Sequence, residues 1–274
     1  MKAKIFIACC LCGLFTGTGE ATLREVPAVG LLSMSQNGGK KQRFPQPGIY
    51  VTGGDNLSLT VASSGFPFGS EIELIQTAGG MAVKLKIDIT VGKPDASVLS
   101  GIYTVDFVVP QVKKRTTCVL RLHQNTFTDI PLIIFPPEDK VATGRTINQK
   151  MRENNMAHIA VFHPGEYIAA DFLVSRGVKT NWTESLSGAL CLVEVFAKDL
   201  NNLPPVADDR SRVIIFIRDA ADLPGIYTTV TAAGGAVTKV TLPILNDLDT
   251  NPRSREIFLN LINRHLSREL TPEN

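Results

Sequence analysis

A surplus of charge of either sign is missing from this chain. Its 28 basic and 26 acidic residues leave a formal net charge of +2 over 274 residues. Because neither sign collects on a long segment, composition gives no footprint for nucleic acid or for an anionic membrane surface. Lys40-Lys41-Gln42-Arg43 is the one dense basic cluster of the first half. Set among Ser35, Asn37, Gly38 and Gly39 without interleaved aromatics, it reads as solvated linker. Cysteine is also scarce. Cys9, Cys10 and Cys12 crowd the start, leaving Cys118 and Cys191 for the rest of the chain. Two thiols so far apart do not make a disulfide framework, and each reads as a small buried hydrophobe. Long apolar runs are absent too: the stretch 5–15 is too short to span a bilayer, so no membrane span is expected.

What is present begins with an export signal. Lys2 and Lys4 form a charged start, 5–15 an apolar core and 17–21 a small-residue stretch, so 1–21 reads as a signal peptide and the protein as secreted or periplasmic. A lipid anchor is not expected, because Cys12 follows Leu11 and Cys9 leaves only a stub of apolar residues before it. Residues 22–44 read as linker.

The pattern then changes at Phe135-Pro136-Pro137. Upstream, runs at 48–51, 57–62, 71–75, 81–91, 101–109, 117–122 and 130–135 alternate or carry β-branched residues between Gly, Pro, Asn and Ser turns. Val83-Lys84-Leu85-Lys86-Ile87-Asp88-Ile89 alternates strictly, one face buried and the other wet. That many short strands predicts an all-β immunoglobulin-like sandwich over 45–136. Downstream, strand candidates at 159–162, near Val178, and at 190–195, 213–217 and 239–242 alternate with amphipathic segments. They predict a small α/β flavodoxin-like doubly wound sheet over 151–274, after a second linker at 137–150. Its last helix is marked by Asn251 as cap, Pro252 at the first position and a stripe of Ile257, Phe258, Leu261 and Ile262.

Gly101-Ile-Tyr-Thr-Val-Asp-Phe-Val-Val-Pro110, with Thr117-Cys-Val-Leu-Arg-Leu122 and Asp129-Ile-Pro-Leu-Ile-Ile-Phe-Pro136, resembles the closing strands of immunoglobulin-like domains in large secreted, sugar-acting glycoside hydrolases. The C-terminal half of the chain, including Pro243-Ile-Leu-Asn246 and Asn251-Pro-Arg-Ser-Arg-Glu-Ile-Phe-Leu-Asn-Leu-Ile262, resembles the flavodoxin-like, glutamine-amidotransferase-like module that accompanies some of them. The resemblance implies an accessory region lacking the catalytic barrel, which alone needs about 250 residues. It implies a secreted, non-catalytic binding protein whose partner is a companion protein or a polysaccharide; from the residues themselves, no cofactor and no metal are expected.

The alternative is a hydrolase at the strand ends of the α/β half. His163-Pro164-Gly165-Glu166 lies at the end of the first strand there and Asp219 at the end of another, the edge where doubly wound sheets place ligands. His163, Glu166 and Asp219 are therefore the candidate binding residues. Cys191, inside Ala189-Leu-Cys-Leu-Val193, lacks the glycine-flanked elbow of a nucleophile. Ser185 and Ser187 do not form Gly-x-Ser-x-Gly. Asp247-Leu-Asp-Thr-Asn251 imitates half a calcium loop, but Pro252 occupies the position that needs glycine.

Overall fold

The computed structural model describes residues 29–37, 42–43, 48–63, 72–78, 81–85, 89–92, 102–123, 127–162, 167–220 and 224–267. Before the proline pair it has β1 (Val29–Gln36), β2 (Gln42–Arg43), β3 (Ile49–Thr52), β4 (Asn56–Ser63), β5 (Ile72–Ala78), β6 (Met81–Leu85), β7 (Ile89–Gly92), β8 (Ile102–Val108), β9 (Thr116–His123) and β10 (Phe127–Phe135). They form two five-stranded sheets, in the orders β2-β1-β4-β8-β7 and β3-β10-β9-β5-β6. Period-two alternation supplies the common core. Leu57, Leu59 and Val61 of β4 and Val105 and Phe107 of β8 share a cluster with Leu74, Leu120, Leu132 and Ile134 of the second sheet.

The pairing overturns the all-β immunoglobulin-like sandwich. β3 runs parallel to β10, with Ile49 opposite Leu132 and Thr52 opposite Phe135, so the second sheet is mixed. Alternation reports which side of a strand is buried, not which distant strand it joins. The stretch 81–91, read as one strand, instead supplies β6 to one sheet and β7 to the other. β1 and β2 lie in the expected 22–44 linker.

Downstream come α1 (Lys140–Glu153), β11 (Ile159–Phe162), α2 (Ile168–Val174), β12 (Thr180–Thr183), β13 (Cys191–Phe196), β14 (Arg212–Arg218), β15 (Ile226–Val230), β16 (Ala236–Val240) and α3 (Pro252–Ser267). Much of the expected 137–150 linker is thus helix. Asp139 starts it by accepting the Ala142 N–H at 2.9 Å, and Gly144, Ile147 and Met151 form its buried side. Asn251 caps α3 through the N–H groups of Arg253 and Ser254, at 3.0 and 3.4 Å.

The third sheet has the order β12-β11-β13-β14-β16-β15. Its first five strands are parallel and β15 is antiparallel to β16. All three helices pack on one face, where Phe172 and Phe258 meet at 5.2 Å and Phe258 and Phe216 at 5.6 Å. The other face, carrying Cys191, Val193, Val213 and Ile215, is covered by Leu200 of a 3₁₀ turn and by Leu203 and Val206 of the segment after it. The parallel strands β12-β11-β13-β14-β16 follow the order of a flavodoxin-like doubly wound sheet, but among the described residues helices cover one face rather than both, and that part of the expectation is corrected. An apolar run buried on both sides looks the same whatever covers it. The chain is a mixed α/β fold built on three sheets.

Glu138, just before α1, holds the helical layer together. Arg176, whose side chain is fully buried, donates to it twice, from Nε and Nη2, each at 2.6 Å, and Arg255 of α3 donates at 3.1 Å. Burial alone would raise the Glu138 pKa, but the Arg176 hydrogen bonds and the guanidinium charges outweigh it and hold the carboxyl below its ordinary value. The Arg176 guanidinium also lies 3.2 Å above the Phe172 ring. α3 faces the second sheet through Arg253 over Tyr50 of β3 at 5.3 Å and through Glu256, 3.5 Å from Arg115 just before β9. No helix among the described residues is long and apolar enough to cross a membrane.

Candidate functional site

Chemistry-bearing side chains gather at both ends of the third sheet. At the C-terminal end, Asp219 follows β14 directly and is exposed, with φ +54. It lines a cavity of about 230 Å³ with Arg218, Pro224, Thr241 and Asn246. His163 and Glu166 lie outside the described residues, so of the three sequence candidates only Asp219 has a described position. The left-handed backbone suits Asp, whose short side chain tolerates it, and penalises β-branched residues. Asp219→Val is therefore expected to cost about 1–2 kcal/mol, and Asp219→Asn less than about 0.5 kcal/mol. Equal denaturant midpoints for the two variants would show that this backbone does not hold a left-handed conformation.

The carboxylate at the start of α2 is one that sequence reasoning missed. Glu194 of β13 is 4% exposed and accepts the N–H groups of Ile168 at 3.2 Å and Ala169 at 2.6 Å. Burial pushes its pKa up to about 7, against the lowering effect of those two hydrogen bonds and with a further push from the charge of Asp171. Its one sequence signal is a lone acid in the apolar run Leu192-Val-Glu-Val-Phe196. Tyr167, beside the same helix start, meets Trp182 of the edge strand β12 edge-to-face with centroids 4.4 Å apart, and Trp182 is half-exposed.

The N-terminal end carries the larger cavity, of about 690 Å³. Its walls come from the segments leading into β13 (Gly188, Ala189) and β14 (Ser211), the turn before β16 (Ala233, Gly234) and the last turn of α3 (His265). His265 is 1% exposed; its Nε2 lies 2.9 Å from Thr238 Oγ1, and its Nδ1 is buried without a partner. Burial, with the nearby charges of Arg212 and Arg264, pulls its pKa down to about 4, so the ring is neutral at pH 7. Arg212 donates to the His265 carbonyl, closing the end of α3. The sequence offers no signal for this pairing, since 53 residues separate the two.

The remaining candidates resolve into structural roles. Cys191 is wholly buried and burial raises its thiol to about 11; Cys118 behaves alike. Ser185 and Ser187 hydrogen-bond each other at 2.8 Å in the loop between β12 and β13. The calcium-loop imitation is a turn closed by Asn251 on Asp247, with backbone and side-chain hydrogen bonds of 2.7 and 2.8 Å. Among the described residues no three His, Cys, Asp or Glu side chains gather as metal ligands. No family model matches the chain, and no curated protein is significantly similar to it.

Proposed function

We propose that this chain is a secreted, non-catalytic accessory or binding protein, of the kind its sequence resembles beside sugar-acting glycoside hydrolases, with a companion protein or a polysaccharide as partner. The observation that carries the non-catalytic reading is the state of Cys191. A nucleophilic thiol needs access and a lowered pKa, whereas this one is sealed between the sheet and its covering segments and held protonated far above neutral pH. The accessory reading rests on the resemblance of the strand and helix patterns.

The test is turnover of a panel of aryl-glycosides and of glutamine by the purified protein, with native thiol alkylation and a pull-down from the native secretome in parallel. The expected outcome is no turnover, slow alkylation of Cys191 and capture of a companion enzyme or retention on a polysaccharide. Cys191→Ser is expected to leave partner capture intact and to cost roughly 1–3 kcal/mol, the penalty for burying a hydroxyl that finds no acceptor. Turnover lost in a folded Cys191→Ser variant would overturn the reading. Turnover that survives that substitution and is lost with Asp219→Asn would instead favour the hydrolase alternative, which the cavity beside Asp219 supports.

A further inference from the structure

We propose that the 690 Å³ cavity at the N-terminal edge of the third sheet binds a small molecule bearing an oxyanion, carboxylate or phosphate, with the Arg210 guanidinium as its anchor. This inference stands apart from the accessory reading and holds or fails whether or not a companion protein exists.

The first support is Arg210 itself. It lines the cavity from the turn before β14, and its guanidinium makes no ion pair or hydrogen bond among the described residues. The nearest acid in sequence on the same wall, Asp208, already accepts the Arg210 backbone N–H at 3.0 Å. A planar guanidinium presents paired donors that match a carboxylate or phosphate edge.

The second support is the donor beside it. Ser211 is 2% exposed and lines the same cavity. Its oxygen accepts the Gly188 N–H at 3.2 Å, which leaves the hydroxyl hydrogen to donate.

The third is the field. Among the described residues lining the cavity the charged ones are Arg210, Arg212 and Asp208, and the charges of Arg212 and Arg264 are both felt at the His265 ring. Some of the carbonyls at the ends of α1 and α3, which would repel an anion, already accept hydrogen bonds. Lys150 and Met151 accept from Asn154, and His265 accepts from Arg212. The volume suits a metabolite-sized ligand rather than a segment of a macromolecule.

Binding of inorganic phosphate, glucuronate and neutral glucose to the full chain, at constant ionic strength and pH 7, tests the proposal by calorimetry. The His265 imidazole titration is followed by NMR alongside. Saturable binding is expected for phosphate, glucuronate or both, which identifies the oxyanion. Glucose is expected not to bind, and a bound oxyanion is expected to raise the His265 midpoint by offsetting the guanidinium field. Arg210→Gln, at an exposed position, is expected to leave the unfolding midpoint in place and to weaken binding by about tenfold or more. Absence of saturable binding by either anion, glucose binding as well as glucuronate, or affinity unchanged in a folded Arg210→Gln variant would each overturn the proposal.

Discussion

Gly144→Ala is expected to destabilise the protein by more than about 3 kcal/mol, although it replaces glycine by the best helix former inside a helix. Two effects compete. In an exposed helix interior the exchange stabilises by about 1 kcal/mol. At Gly144, however, a methyl group would overlap the carbonyl oxygen of Arg176 and lie 2.8 Å from its carbonyl carbon. The obstacle is backbone rather than the end of a flexible side chain. That backbone is anchored, because the Arg176 guanidinium is clamped on Glu138, itself just before α1. The helix and the turn cannot separate without pulling on the buried ion pair, and breaking such a pair typically costs about 3–5 kcal/mol. The check is a shift in denaturant midpoint at constant slope, with Ala142→Gly on the exposed side of α1 as the control for helix propensity. A Gly144→Ala protein as stable as the parent would mean that α1 and the Arg176 turn do not approach this closely.

A second expected result is that two single substitutions will tilt the pH dependence of stability in opposite directions. Glu194 has a folded pKa near 7 against an ordinary value of 4.5. The folded state therefore holds this proton more tightly, so its contribution is complete below about pH 4.5 and is lost as pH rises to about 7. His265 has a folded pKa near 4 against an ordinary 6.5. Its contribution is complete above about pH 6.5 and is lost as pH falls towards 4. Between pH 4.5 and 6.5 the two slopes oppose, each worth about 1.4 kcal/mol per pH unit, and in the intact protein they largely cancel. Glu138, held below its ordinary value, acts only at more acidic pH. Glu194→Gln is expected to lose about 3 kcal/mol on acidification from pH 6.5 to 4.5, and His265→Gln to gain a similar amount over the same interval. Urea midpoints measured across that interval decide the matter. Slopes of the same sign in the two variants would show that at least one of these groups is not held as its burial implies.

The parts of the fold that are legible in the sequence are those set by neighbours along the chain. Asn251 and Pro252 announce α3, and its apolar stripe follows at helical spacing. The strands 48–51 and 101–109 declare themselves by alternation and their closing turn residues. Pairing is a different matter. Ile49 meets Leu132 across more than eighty residues, and nothing in either run specifies parallel over antiparallel. Glu138 reads as polar linker because its partners, Arg176 and Arg255, come from two other elements. Glu194 and His265 go unmarked for the same reason. A lone acid in an apolar strand and a lone histidine near a helix end acquire meaning only from the groups packed on them. Asp219 is legible as the residue ending a strand, but its left-handed backbone is not.

Trp182 is the only tryptophan of the chain, and it sits on the edge strand β12, ring to ring with Tyr167 beside the start of α2. All indole emission from this protein therefore originates at one margin of one sheet, whereas far-ultraviolet circular dichroism averages over all three sheets and the helices. The two signals are spatially separate reporters without any label having been added. If their unfolding curves superimpose, the margin that carries α2 is welded to the body of the protein. If the emission changes first, that margin opens as a subglobal unit of its own.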